Sequence, residues 1–164
     1  MTLPQPPYDA DERTMLCAFL DYHRAIVHRK CSGVGEVLAR VALLPSPRYT
    51  IAGLVHHLTW VERHWFRIVL AGEDLTPPWV GPDPDADWRP PPGVPLDRLL
   101  TEYARECSRS RTITSGLSLD DIARSWDRPV TLRWVLVHLI EETARHNGHA
   151  DLVRELVDVA ATAR

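Results

Sequence analysis

Residues Thr131 to Val159 read TLRWVLVHLIEETARHNGHADLVRELVDV, and the spacing of apolar side chains in this stretch decides the fold. Val135, Leu139, Ala150, Val153 and Leu156 recur at helical intervals, which predicts one buried stripe on a long amphipathic helix. Glu142 and His146 fall on the same stripe, because Glu142 follows Val135 by seven and Leu139 by three, and His146 follows Glu142 by four. An ionised carboxylate that faces a core is costly unless something positive compensates it. A metal ion would do so, and residues four apart on a helix can ligate one ion together. The expectation is a metal-binding helical bundle in which this helix supplies two ligands.

Working upstream, Thr131 is a good N-cap for that helix, with Trp126 and Pro129 leading into it and SLDD (Ser118 to Asp121) reading as a capped single turn. Pro95 to about Ser115 fits a third helix, with Leu99, Leu100, Tyr103 and Cys107 inward and proline tolerated in the first turn. Before it runs GEDLTPPWVGPDPDADWRPPPGVP, residues 72–95, which holds eight of the fourteen prolines and can be neither helix nor central strand. Such a link is long enough to run the length of a bundle, so the helices it joins need not be antiparallel, and Trp79 and Trp88 suggest that it packs down on the body. Thr50 to about Ala71 reads as the second helix, capped by Thr50, ended by Gly72, and buried along Leu54, Leu58, Val61, Trp65 and Ile68, with His57 and His64 on the stripe's border. The first helix starts near Asp9 and turns Leu16, Phe19, Leu20, His23, Ile26 and Val27 to one face. Ser32, Gly33 and Gly35 break it, and a short apolar turn over Val37 to Leu44 precedes a loop. Residues 1–8 are a Pro-rich lead-in without expected structure. No strand pattern and no internal repeat stands out, so the fold class is all-α: a single domain, 1–164, built as a four-helix bundle.

Composition narrows the function classes. The chain has 164 residues, 45% hydrophobic and 25% charged, with a net charge of −3. That balance describes a soluble globular protein and offers no electrostatic case for nucleic acid or an anionic membrane. No apolar run approaches the roughly 18 residues of a spanning helix, and the start carries no signal-like region, so a cytoplasmic location is expected. Cys17, Cys31 and Cys107 form no CxxC pair and read as idle thiols rather than disulfides. Lys30 is the sole lysine beside eighteen arginines, a bias that accompanies GC-rich coding.

Eight histidines stand at 23, 28, 56, 57, 64, 138, 146 and 149. A lone histidine is ordinarily a surface or hydrogen-bonded imidazole, the reading for His28 and His56. Glu142, His146 and a histidine of the second helix make a constellation whose non-functional alternative is a buried His–Glu pair that fixes helix register. The two Glu-x-x-His motifs of di-iron bundles are missing, as are HExxH, GxSxG and a phosphate-binding glycine loop.

The segments LVHHLTWVERHWF (54–66) and RWVLVHLIEETARHNGHADLVRE (133–155), with DERTMLCAFLDYHRAIVHRKCSG near the N-terminus, resemble the DinB superfamily. More narrowly, they resemble its actinobacterial branch related to mycothiol-dependent transferases and maleylpyruvate isomerase. The resemblance implies a bundle of up-down-down-up order with the Pro-rich crossover between the second and third helices. It also implies one divalent metal on a second-helix histidine and an (i, i+4) pair of the fourth helix. His57 matches the family's apolar-x-x-His-Leu pattern, and Glu142 with His146 match the Glu-x-x-x-His form of the isomerase type. His138 is the alternative to Glu142, and His138, His149 and His23 are further candidate residues of the site.

Two imidazoles and a carboxylate suit zinc, with nickel, iron and manganese as alternatives, and three protein ligands leave a coordination position open. The implied activity is a metal-dependent thiol S-transferase in which a thiol such as mycothiol, its acidity raised by the metal, attacks a small electrophile. A metal-dependent hydrolase of the same architecture and a non-catalytic, metal-stabilised bundle are the competing readings. The expected partners are the thiol, the electrophile and, for a homodimer, a second copy of the chain, with no nucleic acid and no membrane.

Overall fold

Asp11 opens the first helix, two residues later than the acidic run alone suggests, because its carboxylate accepts the Thr14 N–H at 3.0 Å. The computed structural model describes residues 3, 5–123 and 127–162. Trp126, read above as part of the approach to the last helix, lies outside them. Helix α1 is Glu12–Cys31, ended by Ser32 and by Gly33 at φ 71°. The apolar stretch after it forms only a single turn, α2, Glu36–Ala39. Helix α3 is Ile51–Glu62, and the Thr50 hydroxyl accepts the Gly53 N–H at 2.9 Å at its start. It runs on as a π-helix over Arg63–Leu70 and stops at Gly72, φ 67°. Helix α4 is Leu96–Ser115 behind Pro95, and α5 is Leu132–Thr162, whose Trp134 N–H is accepted by the Thr131 hydroxyl at 3.2 Å. The absence of strands is corrected in one place: β1, Ile122–Ala123, pairs antiparallel with β2, Val130–Thr131. Two residues per strand are too few to write an alternating pattern into a sequence.

Contacts between the helices fix their directions. Arg133 at the start of α5 bonds Glu12 at the start of α1 at 2.7 Å, and Arg154 bonds the carbonyls of Lys30 and Ser32 at the other end. Those two helices are therefore parallel. Trp65 meets Trp134 and His138, while His57, earlier in α3, meets Glu142 and His146, later in α5, so α3 is antiparallel to α5. Glu36, before α3, accepts the Leu96 N–H at the start of α4, and Glu62 accepts the Ser110 hydroxyl near its end, so α3 and α4 run together. The order is up-down-down-up, and residues 72–95 return along the bundle to allow it.

The core differs from the periodic reading in three places, each with a physical cause. In α5, Val157 is 2% exposed and Leu156 is 38% exposed, because after Val153 the inner face advances by four residues rather than three. In the π segment, Phe66 and Val69 are buried and Ile68 is only half-buried. Bonds of the i→i+5 type widen the turn and carry the inward face past Ile68. In α1, Phe19 is 40% exposed while Arg24 is 6% exposed. Arg24 is inside because Glu62, 1% exposed, takes both Nε and Nη2 at 2.7 and 2.6 Å.

The crossover holds two short 3-10 turns, Pro78–Val80 and Ala86–Trp88. Trp79 lies edge-on to Trp60 and His64, and Trp88 packs over the start of α3. In the lead-in, Pro6 is buried and Gln5 donates to the Tyr22 hydroxyl at 3.2 Å. Among the described residues no helix is long and apolar enough to cross a membrane.

Candidate metal centre

His57 lies two turns into α3, on the side that faces the middle of α5. Glu142 and His146, one turn apart, face it there. Glu142 Oε1 is 3.3 Å from His57 Nε2 and 3.1 Å from His146 Nε2. One donor atom from each of the three lies within 4.8 Å of the others. His146 is buried and the other two side chains are 12% exposed.

Each side chain is aimed by a neighbour. Arg145 takes the second oxygen, Oε2, of Glu142 at 2.9 Å, which leaves Oε1 for the two imidazoles. His149, one turn further along α5, is joined to His146 through the two Nδ1 atoms at 3.1 Å. Asp87 Oδ2 lies 2.6 Å from His57 Nδ1. Trp88 stacks on the His57 ring with centroids 3.9 Å apart and planes 13° from parallel. Tyr49 closes the edge, against His149 at 4.7 Å and Trp88 at 5.6 Å.

The charges around the three residues suit a cation. The contacts of Glu142 with His146 and His57 outweigh its burial and hold its carboxyl far below the usual carboxylate range. Burial works against the His57 imidazolium, but the bonds to Asp87 and Glu142 prevail and raise its pKa above the ordinary histidine value. Burial lowers the pKa of His149, with His146 adding to it.

The donor set fits a divalent ion. Ligands at about 2.0–2.1 Å around a tetrahedral ion lie about 3.3 Å from one another, close to the 3.1 and 3.3 Å found here. Asp87 accepts a hydrogen bond from His57 Nδ1–H, so a neutral His57 ring turns the lone pair of Nε2 toward a carboxylate oxygen. Lone pairs facing one another need a cation between them, either protons on the rings or one shared ion.

The remaining candidates are placed elsewhere. His138 stacks on Trp134 at 5.0 Å and meets Trp65 edge-on at 4.8 Å, one turn before Glu142 and outside the group of three. His23 sits on α1, where Asn147 donates to its carbonyl at 3.1 Å. His149 touches the group through His146, His56 is half-buried beside His57, and His28 is exposed. The cysteines are free: burial raises all three thiols, Cys31 to about 12, so none is a thiolate near neutrality. Asp87 and the stacking of Trp88 on His57 escaped the sequence reading, in which Trp88 only packs on the body, and so did Tyr49 and Arg145. The only signal for the first two was an acid beside an aromatic in PDADW, which carries no period.

A family model described as mycothiol-S-transferase matches residues 15–159, a span that includes His57, Asp87, Glu142 and His146. No curated protein matches the chain. The fold, the three converging donors and the extent of the match agree, and the chain belongs to the mycothiol-S-transferase family, within the DinB-like superfamily.

Proposed function

We propose that this protein is a metal-dependent thiol S-transferase that joins a low-molecular-weight thiol, of which mycothiol is the prime candidate, to a small electrophile. His57, Glu142 and His146 hold one divalent ion, zinc by the character of its donors, with nickel, iron and manganese also compatible. The observation that carries the reading is the meeting of Glu142 Oε1 with two imidazole Nε2 atoms in a chain whose family is named for this reaction.

When bound, such an ion supplies a Lewis acid with an open position, able to lower the pKa of a thiol to neutrality or below. The chain's own residues prepare that position. Glu142 contributes one negative charge, and Arg145 limits it to a single oxygen directed inward. His57 and His146 contribute neutral donors whose other nitrogens are occupied by Asp87 and His149. The Trp88 ring covers one flank of both imidazoles, and Tyr49 packs behind it against Trp88 and His149.

The test is conjugation of monochlorobimane by zinc-loaded protein across a panel of thiols. Turnover with a mycothiol-type thiol, lost in His146→Ala, supports the transferase. Ester or amide hydrolysis with no conjugation above the uncatalysed rate would replace it with a hydrolase.

A further inference from the structure

We propose that Asp87 is a positioning residue of this centre. It holds His57 in the Nδ1–H tautomer, with Nε2 turned to Glu142 and His146, and it links docking of the 72–95 crossover to cation binding. The second half of the proposal rests on the reading that the three residues share an ion; the first does not.

Asp87 is 6% exposed although it comes from a Pro-rich, polar connection. Among the described residues its hydrogen-bond partner is His57, at 2.6 Å. A buried carboxylate is costly unless paired, and the pairing found here is Oδ2 with the His57 ring. A carboxylate only accepts, so the proton between the pair sits on Nδ1 and the lone pair of the neutral ring sits on Nε2. Trp88, the next residue, fixes the plane of the same ring by stacking on it at 3.9 Å. The backbone there is seated too: the Trp88 carbonyl lies 2.9 Å from where a Cβ on Gly53 would stand. One short turn of the crossover, Ala86–Trp88, thus sets tautomer, ring plane and distance from α3 together. Because such coupling is reciprocal, a docked crossover favours cation binding and a bound cation favours the docked crossover.

The experiment uses the full chain. Zinc affinity is measured by competition with a chromophoric chelator, and Asp87→Ala is expected to weaken it about 10–100-fold. Asp87→Asn, which keeps an acceptor for Nδ1–H, recovers part of that loss, and Asp83→Asn on the same crossover leaves affinity unchanged. Circular dichroism establishes that each variant is folded, and Asp87→Asn carries the comparison if the alanine variant is not. Protease cleavage within 72–95 slows on zinc addition in the wild type and not in Asp87→Ala. Independently of metal, nitrogen-15 correlation spectra of the zinc-free protein at pH 9 show His57 as Nδ1–H in the wild type and as Nε2–H in Asp87→Ala. Equal zinc affinity in Asp87→Ala and wild type overturns the link to the ion, and a wild-type Nε2–H form overturns the tautomer. A wild type that binds none of zinc, nickel, iron and manganese refutes the shared-ion reading itself and the link with it, while the spectra still decide what Asp87 does to His57.

Discussion

Gly53 is the residue whose size most directly governs the approach of crossover to helix. A methyl group there would stand 2.7 Å from the Arg48 carbonyl and 2.9 Å from that of Trp88, both backbone atoms that cannot rotate away. Gly53→Ala is therefore expected to destabilise the protein by about 1–3 kcal/mol through overpacking, measurable by urea unfolding. Among the proposed ligands, His57→Ala, Glu142→Ala and His146→Ala should each abolish stoichiometric metal, whereas His28→Ala, at an exposed position, should not. Metal analysis of the purified variants decides this, and full occupancy in Glu142→Ala would remove Glu142 from the set. The inward turn of Glu142 and His146 was legible because helical period relates them to Val135 and Leu139. Asp87 was not, since its role arises from a contact with a helix thirty residues earlier, and nothing in a proline-rich run announces a distant partner.

At the scale of elements, helix ends were legible through their chemistry: Thr50 and Thr131 as caps, Gly72 as a stop and Pro95 as a start each do locally what their side chains dictate. The π segment was not, because every residue from Arg63 to Leu70 also suits an α-helix. Its register has a measurable consequence. Phe66→Ala should cost about 3–5 kcal/mol, as for a fully buried aromatic, and Ile68→Ala should cost distinctly less; an α-helical register would reverse that order. The Arg24–Glu62 pair, which joins α1 to α3 and receives the Ser110 hydroxyl of α4, was also hidden, since a charge beside an apolar stripe ordinarily reads as solvated. Removing one partner, as in Arg24→Met, should destabilise by about 3–5 kcal/mol, while an apolar replacement of both should recover most of it. Chemical denaturation of the two singles and the double measures the difference.

For the whole molecule, the proposed ion would tie α3, α5 and the crossover into one unit. At a free zinc concentration 100 times the dissociation constant, binding to the folded state alone contributes about 2.7 kcal/mol, or roughly 5–10 °C in Tm at this size. Chelation should lower Tm by that amount in the wild type and leave Glu142→Ala unmoved. Affinity should also depend on pH in a stated direction. In the metal-free protein the pKa of His57 is raised, so its contacts contribute stability that is fully present below about pH 6.5 and lost as pH rises through the raised value. Metal competes with that proton, so zinc affinity should climb with pH through the same range, with protons released on binding. Calorimetry in buffers of different ionisation enthalpy would record the release. The most direct test of the account is anomalous diffraction from a crystal of zinc-loaded protein. One peak is expected about 2.0–2.1 Å from His57 Nε2, Glu142 Oε1 and His146 Nε2; no peak there, with the imidazoles still bonded to the carboxylate at the distances now found, would contradict a shared ion.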